Sequence, residues 1–124
     1  MEPGSPRHTS TLELSRTAYA ANLEFIRSWI GNGVRLSAVV KGNAYGHGIE
    51  EMVTMAEDLG VRHFAVFDAA EASRVVAVRR GPDTGVMIMG MIDPEDLDWA
   101  VANGVEVYVF DRDRLDTRND PLVA

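Results

Sequence analysis

The stretch Ala38-Val39-Val40-Lys41-Gly42-Asn43-Ala44-Tyr45-Gly46-His47-Gly48 gathers the residue types best suited to chemistry in this sequence. Lysine rarely enters an apolar setting without a partner or a task, and Lys41 directly follows the apolar run Leu36–Val40. Desolvation lowers a lysine pKa and leaves part of the side chain as neutral amine, the form that condenses with carbonyl groups. Gly42, Gly46 and Gly48 permit a tight turn and a close backbone approach to a ligand. The helix expected next offers free N–H groups to a phosphate. From these features alone a plainer account stays open, in which Lys41 snorkels from a strand end and the glycines only turn the chain.

Other chemistries have less support. The chain has no cysteine, which removes disulfides, thiolate metal sites and a thiol nucleophile. His8, His47 and His63 share no metal-ligand spacing, so no metal site is assigned. His47 reads as a loop histidine bonded to nearby backbone, and His63 as structural, at the strand end away from Lys41. Asn43 reads as a stabiliser of the turn. Met87, Met89 and Met91 alternate and read as packing residues, while Asp111, Asp113 and Asp116 read as a solvated face. A net charge of −7 opposes a nucleic-acid surface, which needs a basic stripe. No apolar run is long enough to cross a bilayer. Residues 1–10, with Pro3, Gly4 and Pro6 and no hydrophobic stretch, read as a flexible tail and not a secretory signal.

The elements that must position Lys41 follow from periodicity. Thr11–Leu14 suggests a short strand, and Ser15 a helix N-cap before Tyr19, Leu23, Ile26 and Ile30 at helical spacing, ended by Gly31 and Gly33. Leu36–Val40 lacks polar alternation, as expected of a strand covered on both faces. A helix with Ile49, Met52, Val53, Ala56 and Leu59 on one face stops at Gly60. A second strand, His63–Phe67, leads to Asp68 and Glu71 as a capping-box variant, with Ala72, Val75 and Val76 inward until Gly81 and Pro82. A third strand, Gly85–Met89, precedes Asp93-Pro94, a strong helix start. Leu97, Ala100 and Val101 should face the sheet, Gly104 should close that helix, and Glu106–Phe110 is the fourth strand. The strand starts at 36, 63, 85 and 106 lie 27, 22 and 21 residues apart, which suits consecutive βα units and a parallel sheet. The charged run Asp111–Asp120 and then Pro121 should leave the fourth helix unformed. Four βα units make half of a (β/α)8 TIM barrel, which needs about 250 residues. An open four- or five-stranded α/β sheet is the alternative, and periodicity does not choose between them.

The literal string adds something spacing does not. Ala38 to Gly48 resembles the pyridoxal-phosphate motif of alanine racemases, departing only at Gly42, where that family usually carries alanine. Leu12-Glu13-Leu14 and the helix containing Asn22 resemble the family's start, and Phe64-Ala65-Val66 through Glu71-Ala72 its second βα unit. The resemblance implies a fold-type III barrel with an added C-terminal β domain. It implies pyridoxal 5'-phosphate as cofactor, joined to Lys41 as a Schiff base, with Tyr45 donating to the cofactor phosphate. It also implies interconversion of L- and D-alanine for cell-wall peptidoglycan, in a cytoplasmic homodimer.

By the same resemblance a second acid/base, a tyrosine from a C-terminal domain of the other subunit, has no counterpart here. The arginine facing the pyridine nitrogen and most of the phosphate loop also belong to later sequence. Residues 11–124 are therefore expected to be a partial, truncated barrel domain, incomplete and inactive alone and prone to associate through its open strand edges. A non-catalytic carrier of the cofactor on the same barrel, or a remnant without activity, are the competing readings. Side-chain preference among small amino acids is not readable, because the residues that select it would lie mostly beyond Ala124.

Overall fold

Four short strands lie in the order β1-β2-β3-β4, and every neighbouring pair runs parallel. The computed structural model describes residues 3–118. Its strands are β1 (Ala38–Val39), β2 (His63–Val66), β3 (Gly85–Ile88) and β4 (Glu106–Val107). Its helices are α1 (Arg16–Ile30), α2 (Lys41–Tyr45), α3 (Ile49–Asp58), α4 (Ala69–Val78), α5 (Leu97–Ala102, entered through a 3-10 turn at Pro94–Asp96) and α6 (Arg112–Arg118). A doubly wound sheet reverses its strand order partway across, whereas a barrel wall adds each strand beside the last. The unbroken sequential order is that of a barrel wall.

Local signals set most element boundaries. The Ser15 hydroxyl accepts the Ala18 N–H at 3.2 Å and opens α1. The Asp68 carboxylate accepts the Glu71 N–H at 2.9 Å and opens α4. Glu71 does not return the bond to Asp68 as a capping box would. It reaches one residue further back, to the Phe67 N–H at 3.2 Å.

One face of the sheet packs tightly against the helices. Phe64, Val66, Val86 and Ile88 are fully buried there with Ile49 and Val53 of α3 and Ala72 and Val75 of α4. Glu57 is buried in the same layer, at 1 % exposure. Its carboxylate accepts the Thr84 hydroxyl at 2.7 Å and the Arg80 N–H at 3.2 Å, which meets the demand that a buried charge be hydrogen-bonded. The other face is partly bare. His63 bridges it at the strand-entry end, its Nδ1 2.7 Å from the Ser37 hydroxyl on the β1 side and its Nε2 3.1 Å from the Glu106 carboxylate on β4. That arrangement agrees with the structural reading of His63.

Several expectations are corrected. Thr11–Leu14 forms no strand, and 3–14 carries neither helix nor strand. β1 is only two residues long and is not covered on both faces, since Val39 is 40 % exposed. β4 stops at Val107, and Tyr108 to Phe110 are exposed. Both are edge strands, so each has pairing partners on one side only. Val101 points outward, because Leu97 and Ala100 already fill the inward face of a six-residue helix. Met91 is exposed, whereas Met87 and Met89 are half-buried. The charged run does form a helix, α6: Asp111 caps it by accepting the Arg114 N–H at 2.8 Å, and the Arg114 guanidinium donates to the Ile92 carbonyl. Pro121 lies outside the described residues.

Candidate functional site

The site is built on the turn that leaves β1. Register places Val40 and Lys41 immediately past the paired residues Ala38 and Val39, at the carboxyl end of a parallel sheet. Val40 is buried and its N–H still bonds the Ala65 carbonyl at 2.9 Å, so the chain is held to β2 up to the residue before the lysine. Lys41 is half-buried, so the expected desolvation is only partial; it stands where the sheet's uncovered face begins.

The next five residues all have positive φ. Gly42 (φ 63, ψ 41), Asn43 (φ 54, ψ 46), Ala44 (φ 55, ψ 46) and Tyr45 (φ 56) make a left-handed turn, and Gly46 (φ 91) ends it. Glycine adopts this region freely and asparagine tolerates it, but alanine and tyrosine resist it. The left-handed helix costs about 1–2 kcal/mol per non-glycine residue, so the surroundings must offset several kcal/mol here. Sequence reading found the glycines of this turn but not the left-handed state of the three residues between them.

Hydrogen bonds close the turn at both ends. Ala44 N–H donates to the Val40 carbonyl at 2.8 Å and Gly48 N–H to the Asn43 carbonyl at 2.9 Å. Ala44 is buried and serves as the turn's apolar anchor. The His47 Nδ1 lies 2.9 Å from the Ala44 carbonyl; a carbonyl only accepts, so the proton sits on Nδ1. The backbone-bonded reading of His47 holds. Asn43 is the hub, as its turn-stabilising assignment anticipated. Its side-chain oxygen accepts the Ile49 N–H at 3.1 Å and the Arg74 Nη2 at 2.6 Å, and its own N–H donates to Glu71 Oε2 at 3.2 Å. Arg74 in turn grips Glu50 through two bonds, at 2.8 and 2.7 Å. Those bonds from Arg74 hold the Glu50 carboxyl below its ordinary range.

The start of α3 does not suit a phosphate as expected. Its Ile49 N–H is already taken by Asn43, and its first turn carries Glu50 and Glu51. Tyr45 projects as an exposed residue at 64 %. Among the described residues neither the Lys41 amine nor the Tyr45 phenol has a hydrogen-bonding or ionic partner, so both are free to meet a ligand. An open cleft of about 430 Å³ lies beside the turn, lined by Leu12, Leu14, Asn43, His47, Glu50 and Arg74 among others, but neither Lys41 nor Tyr45 lines it.

Fold and turn together define a class: the first four strands of an α/β barrel, with a lysine at the strand end where such folds concentrate their chemistry. The family described as alanine racemase, N-terminal domain, matches residues 14–121. The chain belongs to that family. The alanine racemase of Francisella philomiragia is 38% identical over 105 residues, covering 85% of this chain and 27% of that protein. The alanine racemase of Oenococcus oeni superposes with a TM-score of 0.77 at 28% identity, over 88% of this chain and 29% of that one. Two further structures show the fold alone. One is a histidine racemase from Leuconostoc mesenteroides, with TM-score 0.76, 21% identity and coverage of 90% and 29%. The other is the Bartonella henselae alanine racemase with covalently bound pyridoxal phosphate, with TM-score 0.67, 24% identity and coverage of 74% and 26%. The chain thus spans about a quarter of the length of the proteins it matches.

Proposed function

We propose that this chain supplies the cofactor-holding lysine of a pyridoxal-phosphate-dependent alanine racemase, an isomerase interconverting L- and D-alanine for peptidoglycan in the cytoplasm. Residues 11–124 would be the first half of its barrel, with residues 1–10 a flexible tail. The observation that carries the reading is the eleven-residue string Ala38–Gly48 folded so that Lys41 and Tyr45 stand on one turn at the carboxyl end of β1. A half-buried amine without a protein partner and an exposed phenol free to donate fit an aldehyde that carries a phosphate.

Pyridoxal 5'-phosphate, when bound, supplies an aldehyde and a conjugated ring that accepts the electron pair left as an amino acid loses its Cα proton. Lys41 would hold it covalently and, once displaced by substrate amine, carry that proton on one face. Tyr45 would orient it by donating its phenol to the phosphate. Inversion needs a second acid/base on the opposite face. Tyr19 is a poor candidate, because burial pushes its phenol up and away from neutral pH. Tyr108 stacks on Phe110 at 5.7 Å beside β4. We assign that role to a residue outside this chain, contributed within a homodimer.

Alanine is the preferred substrate because the relative that is 38% identical is an alanine racemase. The histidine racemase shares only the fold. The test is to incubate the chain with pyridoxal 5'-phosphate, reduce with borohydride and map the adduct. A single adduct on Lys41 is expected, absent in Lys41→Ala. Labelling at other amines with Lys41 unmodified would refute the assignment.

A further inference from the structure

Two side chains of α4, Glu71 and Arg74, grip Asn43 at different atoms, one at its backbone N–H and the other at its side-chain oxygen. Glu71 divides its carboxylate between the Asn43 N–H and the Phe67 N–H, each at 3.2 Å, and so ties the left-handed turn to the exit of β2. Arg74 places Nη2 at 2.6 Å from the Asn43 side-chain oxygen while its Nε and Nη2 hold Glu50, and so ties the same turn to α3. Nothing in the local sequence forces Ala44 and Tyr45 into positive φ. Their conformation needs bonds from outside the turn, and these are the only side chains beyond α3 that supply them among the described residues. The hand of the turn also sets where residue 45 stands relative to residue 41, because the two bracket it. A right-handed turn of the same length would carry the phenol to a different side of the lysine.

We propose that Glu71 and Arg74 are positioning residues, whose clamp on Asn43 fixes the left-handed turn and with it the placement of Tyr45 relative to Lys41, so that one ligand's aldehyde and phosphate are met together. The inference rests on the cofactor assignment above, and its consequence is specific. Loss of the clamp should harm recognition of the phosphate more than reactivity of the amine.

The experiment compares pyridoxal 5'-phosphate with pyridoxal, which has the aldehyde but no phosphate. It uses the full chain, Glu71→Ala and Arg74→Met, with Arg74→Lys as the conservative variant and Glu57→Ala as a destabilised control far from the turn. Two quantities are read: the ratio of borohydride-fixed Lys41 adduct from the two aldehydes, and hydrogen exchange at the Gly48 and Ile49 amides without any aldehyde. The full chain should favour the phosphorylated aldehyde. Glu71→Ala and Arg74→Met should each cut that preference by about tenfold, the scale of one hydrogen bond to a charged group. Both should also speed exchange at the two amides. Arg74→Lys should recover part of the preference, since an ammonium can reach one acceptor but not span both as a guanidinium does. Glu57→Ala should unfold more easily yet keep the preference. An unchanged preference and unchanged exchange in both clamp variants would overturn the proposal. If the full chain forms no Lys41 adduct, the cofactor assignment fails, and the exchange rates alone still decide whether the clamp exists.

Discussion

The two faces of the sheet differ more than any other pair of regions in this molecule. On the helix side, Phe64, Val66, Val86 and Ile88 are sealed from solvent. Around the other face and its rim, Val39 is 40 % exposed, Phe67 57 % and Phe110 57 %. Apolar residues occur on both sides, so hydrophobicity does not distinguish them. Coverage does: the crossover helices furnish one complete layer, and no element among the described residues closes the other. The chemistry assigned to Lys41 sits where these regimes meet.

This contrast can be broken by substitution. Phe64→Ala, in the sealed layer, should cost about 3–5 kcal/mol, enough to unfold much of the population of a domain this size, as read by urea denaturation. Glu57→Ala should cost about 1–3 kcal/mol by leaving the Thr84 hydroxyl and the Arg80 N–H unpaired, and Glu57→Gln less, because an amide oxygen still accepts. Loss of equal size from Phe67→Ser would erase the distinction between the faces. The expected change there is within about 0.5 kcal/mol, accompanied by less self-association on size-exclusion chromatography. A chain that elutes as a monomer before any substitution would show that the bare face and open edges are not adhesive.

The smallest effect concerns acid. Glu50 has its carboxyl lowered by the Arg74 hydrogen bonds, so its contribution to stability is present above the ordinary carboxylate range and is lost as pH falls through the lowered value. Both side chains are about 40 % exposed, so solvent screens the pair. Wild type should lose slightly more stability than Arg74→Met on acidification, so that the gap between the two curves narrows at low pH to what the Arg74 bond to Asn43 contributes. Parallel curves from neutral pH downward would remove this pair from the balance.

What could be read from the sequence follows the range of the signal. The start of α1 and the start of α4 were legible because Ser15 and Asp68 act on amides three residues away. The sheet's parallel arrangement was legible from spacing. The lengths of β1 and β4 were not, because strand length depends on pairing and each has a neighbour on one side only. A run such as Leu36–Val40 reads as doubly covered whether or not the cover is present. At the candidate site, Lys41 and Tyr45 were legible as types in a string. The hand of their turn was not, because the groups that hold it, Glu71 and Arg74, lie 28 and 31 residues beyond Asn43. Glu71 was visible as a helix-capping residue and within a stretch resembling the family, not as a partner of the turn, and Arg74 carried no signal.

The bridge made by His63 depends on something small. To reach Glu106 on β4 the imidazole must pass over β3, and it does so at Gly85, where an added methyl carbon would lie 2.7 Å from the ring's Cδ2 and 3.0 Å from the Arg35 guanidinium. A single hydrogen at position 85 is therefore what lets Ser37 and Glu106 share one imidazole, and alanine there would press on the ring itself and displace it from a carboxylate more than forty residues further along the chain.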